Sequence, residues 1–381
     1  MSDKLKSVKE SHEYKEFVKL SELGLVLPNK ICGNENCKNF ESEMEPDLRK
    51  REKNAKNLIL NWRCRTCRVY NSVYAGSFFS LFRKPVKIIL AVIKCWAAQI
   101  SATKAKSVIN LNLEHQLTEA MILGVYARLR QICTLAVDKQ NLKLGGSGKV
   151  VEIDESLYCK VKHWKGKDLK RRPVWVFGLV ERADGESSGR TYMQIVKDRE
   201  AQTLLSIIYD KCESGSIIFS DCWASYNKIA MFKNFTHKTV NHSVNFLDPN
   251  NGACTNRIES LWRACKQKFK EMNGCKRVYI QSYIDEFIWR FNNNVTTDRI
   301  ACYNLILREI SKFYRPGISL NEFEEKVLSE NRTSFEEDEL SNENFETCSS
   351  SGSTSENEVN AEDIFSEFCV VYRRMKTIQL Q

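Results

Sequence analysis

Histidine is scarce in this sequence, with five residues in 381. None of the five stands in an HExxH pattern or in a histidine–cysteine catalytic pattern. A complete P-loop is also missing, because the glycine-rich residues 144–149 (LGGSGK) lack its full pattern and precede a predicted strand rather than a helix. The sequence therefore offers no histidine-based catalytic motif and no complete nucleotide-binding loop.

Long hydrophobic runs are missing as well. The most apolar stretch, residues 86–100, is interrupted by Lys87 and Lys94 and is too short to span a bilayer. The first 17 residues contain no apolar segment of the kind found in secretion signals. We therefore expect a protein that is neither secreted nor bound to a membrane, located in the nucleus of a eukaryote or otherwise in the cytoplasm.

Cysteine, in contrast, is frequent, with 15 residues. In a chain that is not secreted, clustered cysteines are more often metal ligands than disulfides. Cys32 and Cys37 form a C-x4-C pair, Cys64 and Cys67 form a C-x2-C pair, and 26 residues separate the two pairs. Four thiolates of this kind predict a closed structural zinc site, with a strand entering and leaving residues 61–70 (NWRCRTCRVY). The alternative is four free thiols.

The charge is unevenly distributed along the chain. The net charge is +10, from 58 basic and 48 acidic residues. Residues 321–381 hold 15 acidic and 5 basic residues, which leaves 53 basic and 33 acidic residues in positions 1–320, a balance of +20. This excess of positive charge in residues 1–320 indicates a polyanionic partner, most plausibly double-stranded DNA. The acidic tail is rich in serine, glutamate and asparagine, and we expect it to be mostly disordered.

Composition and periodicity divide the chain into four predicted regions. Residues 1–80 carry the cysteine pairs, separated by a charged insert that we expect to be a loop or a helix. Residues 81–145 have helical spacing and are a possible DNA-binding region. Residues 146–315 form the main domain, and residues 316–381 form the acidic tail.

The main domain switches to strand periodicity. Three strands are predicted within residues 150–196, followed by a helix, a short buried strand at 216–221, another helix after Asp221, and a fifth strand near residue 238. This order predicts a mixed α/β fold with ligand chemistry at the strand ends. Asp154 and Asp221 each end a strand. Taken alone, Asp154 reads as a turn residue and Asp221 as a helix N-cap.

Residues 255–270 (TNRIESLWRACKQKFK) predict an amphipathic helix whose polar side carries Glu259, Arg263, Lys266 and Lys270 in one stripe. The simplest interpretation is a solvated face. A second interpretation joins Glu259 to Asp154 and Asp221, if their strands are neighbours. Three converging carboxylates would repel one another, and two Mg²⁺ ions would resolve that repulsion and suit phosphoryl transfer.

The blocks EIDESLY, SDCWASY and VNHSVNFLDPNNGACTNRIESLWRACK, followed by YIDEFIWRFNNN, resemble the signature blocks of Merlin-type DDE transposases and their bacterial insertion-sequence relatives. The resemblance covers roughly residues 25–315. It implies an RNase H-like catalytic core preceded by a zinc ribbon, with Asp154, Asp221 and Glu259 as the DDE triad. It also implies two Mg²⁺ (or Mn²⁺) ions, and transposon terminal inverted repeats and target DNA as partners. A homo-oligomer on DNA would be expected, and Lys266 matches a lysine that recurs in the family.

Several residues depart from the family pattern or compete with the triad. Cys254 stands where the family often has histidine. Glu152 and Glu155 flank Asp154, and strand alternation excludes Glu155 more firmly than Glu152. Asp285 and Glu286 are weaker candidates for the third acid, because they sit beside aromatic residues on a predicted packing helix.

The basic runs at 48–56 and 162–173 are candidate DNA contacts, nuclear-targeting segments or solvated loops. His242 is a candidate for a structural or DNA-contact role. As a function we expect transposition, with Arg263, Lys266 and Lys270 facing DNA. The alternatives are a non-catalytic DNA-binding protein derived from a transposase and, less favoured, another nuclease of the same fold.

Overall fold

The computed structural model describes most of the chain up to residue 318, in seven segments: 3–50, 58–113, 116–159, 173–185, 188–241, 247–249 and 252–318. The predictions for the acidic tail, for His242 and for most of the two basic runs lie outside these residues. The described chain forms two compact units. The first comprises residues 3–98, 107–116 and 300–318, and the second comprises residues 99–106 and 117–299. The predicted four-region division stays a prediction.

The first unit combines helices with a small antiparallel sheet. Its helices are α1 (Asp3–Glu10), α2 (His12–Glu22), α3 (Val86–Ala97), the later part of α4 (Ala102–Leu113) and nearly all of α9 (Arg299–Phe313). Its sheet has the order β1-β2-β3, formed by β1 (Glu45–Lys50), β2 (Leu58–Arg63) and β3 (Tyr70–Ser72). Strands β2 and β3 flank the second cysteine pair, which confirms the predicted strand–turn–strand.

Strand β1 corrects the prediction for the insert between the cysteine pairs. The insert was expected to be a loop or a helix, yet Glu45–Lys50 pairs along its length with β2. Asp47 is buried in this ladder, where it forms ion pairs with Lys4 and Arg63. The hydrogen bonds to β2 and the ion pairs of Asp47 together outweigh the low strand propensity of a charged, proline-containing segment.

The second unit is built on a five-stranded mixed sheet. Its helices are the early part of α4, α5 (Glu119–Ala136), α6 (Ala201–Lys211), α7 (Asn256–Glu271) and α8 (Ile280–Asn292). Its sheet has the order β10-β9-β5-β6-β7, formed by β5 (Val150–Cys159), β6 (Val174–Glu181), β7 (Thr191–Val196), β9 (Ile217–Asp221) and β10 (Thr236–Val240). A two-stranded ladder joins β4 (Leu144–Gly145) to β8 (Cys212–Glu213).

The strand directions follow from the pairing. Strand β5 is parallel to β9 and antiparallel to β6, while β9 and β10 are parallel. The first strand of the main domain and the strand that ends at Asp221 therefore lie side by side, which meets the condition set for a carboxylate cluster. A mixed sheet with helices agrees with the predicted α/β class.

The two faces of this sheet have separate cores. Val151 and Ile153 of β5 face a core that includes Leu204 and Ile208 of α6. On the opposite face, Val176 and Val180 of β6 pack against α7 and α8. The alternation along β5 therefore places even-numbered residues toward α7, which is where the candidate site lies.

One helix prediction of the main domain was wrong. Instead of a regular helix after Asp221, the chain forms two 3-10 turns, Ala224–Tyr226 and Ile229–Met231. Tyr226 and Ile229 are buried in the core beneath α6, and this anchoring favours short turns over a continuous helix. In the described part of the chain, no helix is long and apolar enough to span a membrane.

Candidate active site

Asp154 and Asp221 lie on adjacent parallel strands and at the same level. In the register of β5 and β9, Glu152 is the partner of Phe219. Asp154 and Asp221 each follow two residues later, so their side chains point to the same face of the sheet as that pair. The parallel pairing of these strands thus brings together two carboxylates that are 67 positions apart in the sequence.

The face toward which they point is covered by α7. The indole Nε1 of Trp262 on this helix donates a hydrogen bond of 2.9 Å to Asp154 Oδ2. Glu155 points the other way, where it accepts a hydrogen bond from Tyr226 and lies 3.8 Å from Arg199. Glu155 therefore lies on the face opposite to Asp154, as strand alternation predicted.

The environment of Asp154 disfavours its charged form. Burial raises the pKa of Asp154 to about 7, the hydrogen bond from Trp262 opposes this shift, and the charges of Glu155 and Asp221 add to it. Among the described residues, no lysine or arginine forms an ion pair with Asp154 or Asp221. Two neighbouring carboxylates without a cationic side chain suit an added cation.

The absence of a side chain at Gly178 makes room for the Trp262 indole over the sheet. It is the cross-strand partner of Asp154 on β6. A Cβ atom added at Gly178 would lie 2.5 Å from the Trp262 ring and 3.1 Å from Ile258. The missing side chain therefore leaves the space in which the indole lies close to β6 and reaches Asp154.

Glu259 begins the polar stripe of α7, three residues before Trp262. It is exposed, and its Oε1 accepts a hydrogen bond of 3.1 Å from Thr255. Because residues three apart are neighbours on a helix surface, Glu259 lies one turn from the indole that contacts Asp154. The structure therefore places Asp154 and Asp221 on one face of the sheet, and Glu259 on the helix that covers this face.

The comparisons with known proteins bear on this same segment. A model of the ISXO2-like transposase domain matches residues 143–292, which include all three acids. An uncharacterized transposase-like protein of Haemophilus influenzae is 30% identical over 123 residues, covering 32% of this chain and 94% of that protein. The chain belongs to the ISXO2-like transposase family. This confirms the resemblance to insertion-sequence transposases at the level of the family.

The predicted DNA-binding cations follow Glu259 along α7. Arg263 and Lys270 are exposed, and Lys266 is half-buried with its Nζ 5.2 Å from the ring centre of Tyr158. Tyr158 in turn packs edge-on against Trp262. The stripe predicted from the sequence therefore exists, with Lys266 held beside the end of β5.

The four predicted cysteine ligands meet in the first unit. The Sγ atoms of Cys32, Cys37, Cys64 and Cys67 all lie within 4.8 Å of one another. Backbone hydrogen bonds from Cys67 and Thr66, acting against burial, lower the pKa of the Cys64 thiol to about 6. In the segments that the structure describes, these four cysteines are close enough together to hold one metal ion. The side chains of Asp154, Asp221 and Glu259 are not that close together.

The other candidate acids have structural partners. Asp285 is buried and forms an ion pair of 2.7 Å with Lys139. Glu286 forms an ion pair of 2.9 Å with Arg290 on its own helix. Both carboxylates therefore stabilise the packing of α8, as the aromatic surroundings of these residues in the sequence indicated.

Glu152 has a role that the sequence reasoning missed. Its Oε2 accepts hydrogen bonds from the backbone N–H groups of Arg257 (2.8 Å) and Ile258 (3.0 Å), in the first turn of α7. Its Oε1 accepts a bond of 2.6 Å from Arg182, which also donates to the carbonyl and the sulfur of Cys254. Thr255, the residue before the helix, makes no side-chain capping bond.

Glu152 lies on β5, two residues before Asp154, and caps the start of α7. It therefore attaches the helix that carries Glu259 to the strand that carries Asp154. The available signal was a carboxylate on the covered face of a strand, because a buried charge requires partners. Cys254, where the resemblance suggested histidine, accepts bonds from the same arginine.

We expect Glu152→Ala to destabilise the protein by about 3 kcal/mol, because it leaves Arg182 and two helix N–H groups without their acceptor. Glu152→Gln, which keeps one acceptor oxygen, should cost about half as much. Urea unfolding of the purified variants measures both changes.

The control is Glu200→Ala. Glu200 also precedes a helix of the second unit, but it is exposed and its side chain makes no capping bond. This variant should leave the unfolding midpoint almost unchanged. Equal destabilisation by the alanine variants of Glu152 and Glu200 would contradict the capping role.

Proposed function

We propose that this chain is a Merlin-type DDE transposase, which cuts double-stranded DNA at the terminal inverted repeats of its element and joins the ends to target DNA. The carrying observation is that Asp154 and Asp221 stand on adjacent parallel strands, facing the helix that bears Glu259. A mixed sheet with helices on both faces supports an RNase H-like core.

The donor set fits divalent cations. It consists of hard carboxylate oxygens, and burial without a cationic partner disfavours the charge of Asp154. In the proposal, Asp154 and Asp221 share the metal sites and Glu259 completes the second. Two Mg²⁺ or Mn²⁺ ions would supply Lewis-acid stabilisation of the attacking and leaving oxygens. Small movements of the acidic side chains would accompany binding, because the acids are not grouped closely enough for one ion.

The surrounding residues orient these acids. Trp262 donates a hydrogen bond of 2.9 Å to Oδ2 of Asp154 and so orients this carboxylate. Glu152 fixes the start of α7 and with it the position of Glu259. The stripe of Arg263, Lys266 and Lys270 then holds DNA phosphates next to the site, since Lys and Arg bind phosphate oxygens without reading sequence.

The reaction proposed by resemblance has two steps. Water attacks the phosphodiester at the element end and displaces one oxygen, which leaves the element with a free 3′-hydroxyl. That hydroxyl then attacks a phosphodiester of the target, displacing a target 3′-oxygen, so that one bond forms for each bond broken. Joining two ends requires both to be held together, which supports a homo-oligomer on DNA.

The cysteine cluster belongs to the proposal as a structural zinc site. Four sulfur atoms within 4.8 Å of one another suit a zinc ligand set, because zinc binds thiolates. Such a site would order the first unit rather than take part in the chemistry.

The test is cleavage of a plasmid carrying the DNA that flanks the coding region, with Mg²⁺. Wild-type protein should nick or cut it at the element ends. Asp154→Asn and Asp221→Asn should each lower the rate by at least about 100-fold, because even partners outside the ligand shell commonly contribute 10- to 100-fold. Plasmid DNA bound by a folded wild-type protein but never cut, with Mg²⁺ or Mn²⁺, would contradict the proposed activity and favour a non-catalytic DNA-binding protein.

A further inference from the structure

Beside Asp221 lies a cluster of aromatic and charged side chains that the proposed mechanism does not use. Trp223 follows Asp221 by two residues, and its backbone N–H donates a hydrogen bond of 3.0 Å to Asp221 Oδ1. The Trp223 side chain is well exposed, with 41% of the residue accessible. Large exposed aromatic residues next to a reaction centre are candidates for ligand contacts.

The indole of Trp223 makes a cation–π contact with Arg199. The guanidinium carbon of Arg199 lies 4.5 Å from the ring centre of Trp223 and 4.2 Å from that of Trp175. The guanidinium therefore makes a cation–π contact with each of the two indoles, and its Nε–H group is buried without a hydrogen-bond partner among the described residues. Glu155 faces the same cation at 3.8 Å.

The turn that carries Trp223 is also anchored. Ser225 donates a hydrogen bond of 3.0 Å to the carbonyl oxygen of Arg199. Tyr226 is fully buried, and its hydroxyl donates a bond of 2.7 Å to Glu155. Trp223 is therefore an exposed ring on a fixed support rather than a loosely attached surface side chain.

We propose that Trp223, supported by Arg199 and Trp175, is a stacking site for an unpaired nucleobase of the bound DNA next to the scissile phosphate. An aromatic face accepts any base, so the site would favour locally opened DNA without reading its sequence. Because the backbone N–H of Trp223 donates to Asp221 Oδ1, the residue that carries the ring adjoins this acid at the end of β9, with the two Cα atoms at most about 7 Å apart. This inference rests on the proposed function, because it requires DNA at the carboxylates.

The test compares two fluorescently labelled DNA duplexes of identical length, one fully paired and one with a few mismatched pairs at its centre. Binding is measured without added divalent metal. Wild-type protein should bind the mismatched duplex at least about tenfold more tightly than the paired one. Trp223→Ala should lose this preference and keep its affinity for paired DNA, while Trp223→Phe should retain part of it.

A second readout places 2-aminopurine in the mismatched region. Stacking on Trp223 should quench its fluorescence with wild-type protein and not with Trp223→Ala. The matched control is Tyr209→Ala, which removes an exposed aromatic residue of α6 and should change neither measurement. Unfolding curves that overlay the wild-type curve verify that the variants are folded.

Equal affinities of wild-type protein for the two duplexes would overturn the stacking site, and so would an unchanged preference in Trp223→Ala. An equal loss of affinity for both duplexes in that variant would also overturn it, because a base-stacking site does not act on paired DNA. Failure of wild-type protein to bind any duplex would contradict the proposed function itself, and this inference with it.

Discussion

Replacing Glu259 with glutamine should reduce Mg²⁺-dependent DNA cleavage by at least about 100-fold while folding and DNA binding stay nearly unchanged. The amide is almost isosteric with the carboxylate but lacks the charge that holds a metal ion. Glu259 is exposed in the first turn of α7, so its interaction with the helix dipole contributes at most about 1 kcal/mol to stability. Cleavage rates at matched Mg²⁺ and unfolding curves measure the two effects.

The matched control is Glu271→Gln on the same helix. Glu271 is exposed at the last residue of α7, where it accepts a hydrogen bond from Gln267. The same chemical change there should leave cleavage at the wild-type rate. Equal rates for wild type and Glu259→Gln would mean that the carboxylate is part of a solvated face only.

Two further comparisons separate the roles of the acids and the cations. The double variant Glu259→Gln/Asp154→Asn should cleave DNA no more slowly than either single variant, because the effects of substitutions within one catalytic unit on the rate are not additive. Lys266→Ala should weaken DNA binding and retain metal binding. The slope of the logarithm of the DNA-binding constant against the logarithm of salt concentration should fall by about one. The Lys266 Nζ lies 5.2 Å from the ring centre of Tyr158. An ammonium group has no lone pair to offer a metal ion, so metal binding should not depend on it.

The sequence predicted the elements that carry the site because their signals are local. Alternation along β5 separates Val151 and Ile153 from Glu152 and Asp154, and the pairing with β9 then places Asp221 beside Asp154. The spacing of the cysteines likewise predicted their meeting, since a C-x2-C turn brings two sulfurs together without help from distant residues.

What the sequence could not predict depends on distant contacts. The bond from Trp262 to Asp154 needs the space over Gly178, which lies 84 positions earlier and pairs with Asp154 only in the folded sheet. Glu152 caps a helix that begins more than 100 residues later. The segment after Asp221 has the composition of a helix, but the burial of Tyr226 and its bond to Glu155 favour short turns.

The second large effect is expected in the first unit, where Cys64→Ser should remove bound zinc and destabilise the fold by more than about 4 kcal/mol. The geometry supports a tetrahedral site. Zinc–sulfur bonds of about 2.3 Å require sulfurs about 3.8 Å apart. The distances from Cys32 to Cys67 and from Cys37 to Cys64 are 3.6 and 3.7 Å, far longer than a disulfide bond of about 2.05 Å.

Elemental analysis of purified protein should find about one zinc per chain in wild type and almost none in Cys64→Ser. The matched control is Cys95→Ser, a buried cysteine of α3 in the same unit that does not belong to the cluster. It should keep its zinc and lose only about 1 kcal/mol, the usual effect of placing a hydroxyl in an apolar core. A chelator should reproduce the Cys64→Ser unfolding in wild type and in Cys95→Ser alike. A folded wild-type protein without zinc would show instead that hydrogen bonds and packing alone hold the four thiols together.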